Sequence, residues 1–194
     1  MTEYDSKTAL IVVDVQNDFA DPNGSLYVSG GEEVVPLINE ETERARAAGA
    51  TVVYTQDWHP ETTPHFEKDG GIWPVHCVAQ TWGAEFHPDL RVDGPTIRKG
   101  SGGEDGYSGF SVRDPKSGER HGTELDGLLR QRGIDRVVVV GLATDYCVKE
   151  TALDATRLGF DTTVRHEAMR AVNLQPGDGG RAVEEMVNAG ARVE

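Results

Sequence analysis

Cys147 is one of only two cysteines in the chain, and it follows Val-Val-Gly-Leu-Ala-Thr-Asp-Tyr at a point where an apolar strand gives way to an expected helix. A helix start carries partial positive charge, which favours a thiolate. That effect alone is too small. A free thiol of pKa ~8.5 is about 3% ionised at pH 7, and lowering it by two units takes about 2.7 kcal/mol, whereas a helix end supplies about 1 and at most about 2. A cation has to close the gap, and Lys99 is the candidate. Asp14 could then accept the thiol proton and pass it to a departing amine. The backbone N–H groups of Ala143 and Cys147, at the strand-to-helix turn, could hold an oxyanion. Taken singly, Cys147 reads as a small buried hydrophobe, Asp14 as a turn or cap residue, and Lys99 as a solvated cation.

A second group with chemical potential is Asp57-Trp58-His59-Pro60-Glu61-Thr62-Thr63-Pro64-His65, followed by His76 in Trp73-Pro74-Val75-His76-Cys77. Three of the six histidines thus lie close to one carboxylate. Asp57, His59, His65 and His76 suit one divalent metal ion (Zn, Fe or Mn), with positions left for water or substrate. The plainer reading is a set of loop histidines that cap turns. Cys77 is a further possible ligand, although adjacent residues on an extended segment point opposite ways. His87, His121 and His166 have no comparable neighbours and are taken as surface or packing residues.

These residues need a scaffold. Ala9-Leu10-Ile11-Val12-Val13 is short, apolar and β-branched, the pattern of a strand buried on both faces of a parallel sheet. A helix is expected over residues 32–48, with Val34, Leu37, Ile38, Ala45 and Ala48 on one face and Gly49 as its stop. Further strands are expected at 51–55, 95–98, 136–140 and 160–164. Helices are expected around Leu125, Leu128 and Leu129, over 146–158, and over 180–189. Residues 57–93, rich in Pro, His, Gly and Trp, read as a long functional loop region. The alternation implies an open, doubly wound, mostly parallel α/β sheet flanked by helices. In such sheets ligands bind outside the carboxyl ends of the strands. Asp14, Asp57, Lys99 and Cys147 all fall at that edge, and this shared placement is what turns four ambiguous residues into a candidate site.

The chain has 194 residues, which suits a single domain over 1–194; such a domain buries roughly 70% of its unfolded surface without staples. Its formal charge of −14 argues against nucleic acid or anionic lipid as partners. Sparse cysteine suits a reducing cytosol. Neither a signal peptide nor a membrane-spanning run is visible, so a cytoplasmic protein acting on a small molecule is expected, as a monomer or homo-oligomer.

The sequence resembles the nicotinamidases of the isochorismatase-like cysteine hydrolases. The likeness is carried by Val13-Asp14-Val15-Gln16-Asn17-Asp18-Phe19, by Asp57-Trp58-His59-Pro60 with His65-Phe66, and by Trp73-Pro74-Val75-His76-Cys77 leading to Gly83-Ala84-Glu85-Phe86-His87-Pro88. It continues through Arg98-Lys99-Gly100 with Tyr107-Ser108-Gly109-Phe110 and through Gly141-Leu142-Ala143-Thr144-Asp145-Tyr146-Cys147-Val148. The resemblance implies an Asp14–Lys99–Cys147 triad that hydrolyses nicotinamide through a thioester. It implies Asp57, His59, His65 and His76 as ligands of a metal that orients the ring nitrogen. Phe19, Trp73 and Tyr107 become walls for the aromatic ring, Ala143 contributes to substrate binding, and the Leu142–Ala143 bond becomes a cis peptide. Two departures concern the pocket border: the segment 100–106 is rich in glycine and acid, and residues 20–25 lack the expected Pro-Gly-Gly turn. Three alternatives remain at this stage. They are hydrolysis of another small amide or of the enol ether of isochorismate, a metal-water hydrolase in which Cys147 is incidental, and a non-catalytic metal-binding or interaction protein.

Overall fold

The computed structural model describes residues 3–194. Six strands form one parallel sheet in the order β3-β2-β1-β6-β7-β8: β1 Thr8–Val13, β2 Thr51–Asp57, β3 Thr96–Lys99, β6 Arg136–Leu142, β7 Asp161–Arg170 and β8 Arg192–Val193. β4 (Ser111–Arg113) and β5 (Arg120–Gly122) make a separate antiparallel hairpin. Every residue of β1 is buried, as a central strand covered on both sides requires. Its side chains alternate between two cores. Ala9, Ile11 and Val13 pack with Leu125 and Leu129 of α3 (Leu125–Gln131), Ala152 and Ala155 of α4 (Lys149–Arg157), and Met186 of α5 (Asp178–Asn188). Leu10 and Val12 face Val34, Val35, Ile38 and Ala45 of α2 (Val34–Ala47), in a core that also holds the loop residues Cys77 and Ala84. A short helix, α1 (Asn17–Ala20), follows β1.

Progression leaves β1 toward β2 on one side and β6 toward β7 on the other. The gap between β1 and β6 is therefore the topological switch point, where a doubly wound sheet opens a crevice at its carboxyl edge. β6 can lie against β1 there because residue 141 is glycine: a Cβ would sit 2.1 Å from Val13 O, and φ is +117°.

The expected elements are present with shifted ends. β3 occupies 96–99 rather than 95–98, so Lys99 is its last residue, as Asp57 is of β2. The helix expected from Tyr146 is preceded by a widened π-turn, Thr144–Val148, that contains Cys147, and α4 proper begins at Lys149. β7 runs on to Arg170 past a register shift opposite Val139 and Gly141. Ala48 and Leu158, assigned to apolar faces, are exposed, because each lies at the frayed last turn of its helix. No helix among the described residues is long and apolar enough to cross a membrane.

Candidate active site and metal centre

Three strand ends and one turn bring the expected catalytic residues together. Asp14 leaves β1 with φ +49° and is fully buried. Lys99 closes β3, equally buried, and its Nζ lies 2.6 Å from Asp14 Oδ2 and 3.8 Å from Cys147 Sγ. The same ammonium donates to Asp57 Oδ1 and to the Gly106 carbonyl. Thr55 Oγ1, from the neighbouring strand, donates to Asp14 Oδ1 at 2.6 Å and fixes the second carboxylate oxygen. Gln16 instead fixes the main chain of Asp57: its amide Nε2 donates to Asp57 O at 2.8 Å, and its Oε1 accepts from Asp57 N at 2.8 Å. Thr55 and Gln16 were not singled out by sequence reasoning. Gln16 stands inside the Asp14–Phe19 stretch, whereas nothing marks Thr55 except its position one strand away.

Lys99 draws the thiol down, as expected, but does not offset burial and the two carboxylates. Burial pushes the Cys147 thiol well above its ordinary value; Lys99 opposes this, but Asp14 and Asp57 reinforce it. Burial alone would lower Lys99, yet Asp14 and Asp57 hold it well above the usual lysine range. Asp14 is raised to about 6, chiefly by burial and further by Asp57, against the pull of Lys99. Asp57 goes the other way: burial would raise it, but Lys99 and His59 hold it below the usual carboxylate range. Two buried carboxylates thus have pKa values pushed apart, the arrangement that separates a proton carrier from a permanent anion.

Two triplets of side chains come close enough to share a cation: Asp14, Asp57 and Cys147, and His59, His65 and His76, with donor atoms within 4.8 Å of one another in each. The first triplet already surrounds the Lys99 ammonium. The second has none. His59, His65 and His76 are buried, and the ring centroids of His59 lie 4.8 Å from His65 and 5.2 Å from His76. Both ring nitrogens of His59 are enclosed without a hydrogen-bond partner, although Nε2 faces Asp57 Oδ2 at 3.7 Å. An unpaired buried polar group costs about 1–3 kcal/mol, which a coordinated cation would relieve. Burial, together with His59 and His65, lowers His76 to about 4 despite Asp57, so its imidazole is neutral and fit to ligate. The donor set therefore fits a divalent ion held by the three imidazoles with Asp57 alongside.

Cys77 stands apart from this triplet. Its N–H donates to Asp18 Oδ2 at 2.7 Å and its thiol lies against the Gly83 carbonyl at 3.8 Å, so the backbone turn at φ +46° separates it from His76. His121 and His166 are exposed, and His87 is a packing residue whose Nδ1 faces the Asp89 N–H at 3.3 Å. Trp58 lies under the Arg98 guanidinium, 3.9 Å from its ring centroid, and anchors the loop rather than the pocket.

His59 also dictates Gly100. A Cβ there would meet His59 Cε1 at 2.5 Å, and φ is +76°. Gly100→Ala is expected to lower unfolding stability by about 1–3 kcal/mol in urea titration and to displace the His59 ring. Unchanged stability would show that the loop yields freely there.

A cavity connects the thiol to the histidines. Phe19, Trp73 and Tyr107 wall it, and Ala143 and Cys147 form its base. Trp73 Nε1 donates to Tyr107 Oη at 2.8 Å, which fixes two of these rings against each other. Tyr146, Leu26, Val28 and Val172, not expected from sequence, complete the apolar lining. The Leu142–Ala143 peptide is cis. Among the described residues that line the cavity there is no lysine or arginine.

A doubly wound sheet with a buried thiol, carboxylate and ammonium at its switch point defines a class of α/β proteins equipped for acyl transfer. Residues 8–194 match the family model described as the isochorismatase domain, and the chain belongs to that family. It is 38% identical to a nicotinamidase of Escherichia coli over 203 aligned residues, covering 95% of this chain and 93% of the relative. A solved pyrazinamidase of Pyrococcus horikoshii in complex with zinc superposes with a TM-score of 0.86 at 41% identity, covering 97% and 98% of the two chains. PnC1 from L. infantum in complex with nicotinate superposes with a TM-score of 0.90 at 36% identity, covering 100% of this chain and 95% of the other.

Proposed function

We propose that the protein is a nicotinamidase: over 1–194 a single hydrolase domain that converts nicotinamide to nicotinate and ammonia for NAD salvage, and acts also on pyrazinamide-like analogues. The observation that carries this reading is the position of Cys147 Sγ, 3.8 Å from Lys99 Nζ, in the same aromatic-walled cavity that His65 and His76 line. Similarity to a nicotinamidase, to a zinc-bound pyrazinamidase and to a nicotinate-bound structure supports the substrate class.

In the reaction, Phe19, Trp73 and Tyr107 hold the flat ring with its carboxamide over Cys147. Asp14 takes the thiol proton as sulfur attacks the carboxamide carbon, and the N–H groups of Ala143 and Cys147 receive the developing oxyanion. Asp14 returns the proton to nitrogen, the C–N bond breaks, ammonia leaves and a thioester remains. Water then adds to the thioester carbon, Asp14 takes its proton, and the C–S bond breaks to release the acid and restore the thiol. Lys99 keeps Asp14 oriented and balances the charge of both carboxylates. Asp57, His59, His65 and His76 would hold one divalent ion (Zn, Fe or Mn), whose chemistry is Lewis-acid anchoring of the pyridine nitrogen. The protein works in the cytoplasm, as a monomer or homo-oligomer, without nucleic acid or membrane.

The test is ammonia release from nicotinamide by zinc-loaded protein beside a panel of other small amides and isochorismate. Turnover of nicotinamide is expected; turnover of another substrate alone would sink the assignment. Because Asp14 must be ionised to take the proton, kcat/KM is expected to fall as the pH drops below about 6. A pH–rate profile flat through that region would remove Asp14 from the role of base.

A further inference from the structure

The glycine- and acid-rich segment 100–106 carries a carboxylate aimed at the histidine cluster. Asp105 Oδ1 lies 2.7 Å from His65 Nδ1, with only 12% and 4% of the two side chains exposed. A neutral imidazole has one donor nitrogen and one acceptor nitrogen, and an ionised carboxylate can only accept. In that pairing Nδ1 carries the N–H and donates to Asp105, and Nε2 keeps the lone pair that can ligate an ion. His76 is set the same way by a different group, since its Nδ1 faces the Pro74 carbonyl at 2.7 Å. His59, with no hydrogen-bond partner on either nitrogen, is the contrast.

Asp105 is itself held in place. Its N–H donates to Arg113 O at 2.8 Å and its carbonyl accepts from Arg113 N at 3.0 Å, which ties it to β4. Two residues earlier, Gly103 O accepts from Thr63 Oγ1 at 2.7 Å, and one residue later Gly106 O accepts from Lys99 Nζ. One short segment thus touches the His65 loop on one side and the buried lysine on the other.

We propose that Asp105 is a positioning residue of the metal centre: by accepting the Nδ1 proton of His65 it fixes that ring and presents Nε2 to the ion. This rests on the metal-centre reading above and adds a residue to it. A carboxylate behind a ligating histidine orients the ring and raises its basicity, and its loss typically costs 10–100-fold in metal affinity.

The experiment is zinc affinity of the full chain, by competition with a chromophoric chelator, for wild type, Asp105→Ala and Asp105→Asn, with the melting temperature of each metal-free protein and the visible spectrum of each cobalt-loaded one. Asp105→Ala is expected to bind zinc about 10–100-fold more weakly and to alter the cobalt bands. Asp105→Asn retains an acceptor without the charge and is expected to lose about three- to tenfold. Wild-type affinity in Asp105→Ala, or a lowered metal-free melting temperature with unchanged zinc affinity, would reduce Asp105 to a loop brace and overturn the inference. Should Asp105→Ala fail to fold, Asp105→Asn decides, and no loss of affinity there overturns it. Wild-type protein that binds no zinc at all would instead overturn the metal-centre reading, and this inference with it.

Discussion

Substituting Cys147→Ala is expected to cut ammonia release from nicotinamide by about ten-thousandfold or more while leaving the protein folded and its zinc content unchanged. The size follows from the role of the thiol. Removing a covalent nucleophile leaves only substrate binding and oxyanion stabilisation, and the other members of a catalytic set cannot substitute for it. Stability is expected to change little, because one sulfur atom is lost from a side chain at the base of an open cavity. Zinc content is expected to hold, because the histidine triplet does not include Cys147. Steady-state ammonia release, circular dichroism and bound zinc measure the three parts separately. Substantial turnover by Cys147→Ala would establish attack by a metal-activated water instead. In wild type, acid quench during turnover should trap an acyl adduct on Cys147, visible by mass spectrometry of the digested protein.

The second large effect concerns folding as much as catalysis. Lys99→Met removes the one ammonium between Asp14 and Asp57, both buried. Breaking a buried ion pair by deleting one partner costs about 3–5 kcal/mol, and for a chain of this length each kcal/mol shifts Tm by roughly 2–4 °C, so a fall of about 6–20 °C is expected along with loss of activity. The sign of the pH dependence follows from the same charges. Asp14 already titrates near 6 with Lys99 present, above its unfolded value near 3.8. Without the lysine it rises further, so the native state binds more protons than the unfolded state across that window. Stability then falls as pH increases through it. The Lys99→Met deficit should therefore grow as the pH rises above about 6, where wild-type Asp14 has finished ionising, and should level off as the pH is lowered through that value. Urea unfolding of both proteins on either side of that pH tests it, and a variant as stable as wild type at neutral pH would show that the carboxylates find compensation elsewhere.

Much of this architecture is local in origin. Ala9 to Val13 and Val137 to Val140 are apolar without interruption because each strand is covered on both faces, and such runs announce a parallel sheet. Asp14, Asp57, Lys99 and Cys147 are recognisable as an edge because each lies at or just beyond the carboxyl end of a strand expected from the sequence. His59, His65 and His76 are legible from spacing alone. β7 was only half visible: its second half carries Arg165, His166 and Glu167, partly or wholly exposed, so hydrophobic patterning stops before the strand does. The β4–β5 hairpin is three residues a side with little burial, and no apolar period marks it.

The chain's own order of residues thus determined the class of fold, the cysteine at the strand-to-helix turn and the histidine cluster, since those depend on burial patterns and spacings within a few residues. What each charged group does was decided by tertiary structure. Lys99 meets Asp14 and Asp57 across separations of 85 and 42 residues only because the sheet runs β3-β2-β1, and that encounter makes it the counter-ion of two carboxylates as well as the cation beside the thiol. Asp105 reaches His65 across 40 residues for the same reason. Electrostatic roles depend on which charges converge in a region of low dielectric, and convergence belongs to strand order and register, which no local pattern encodes.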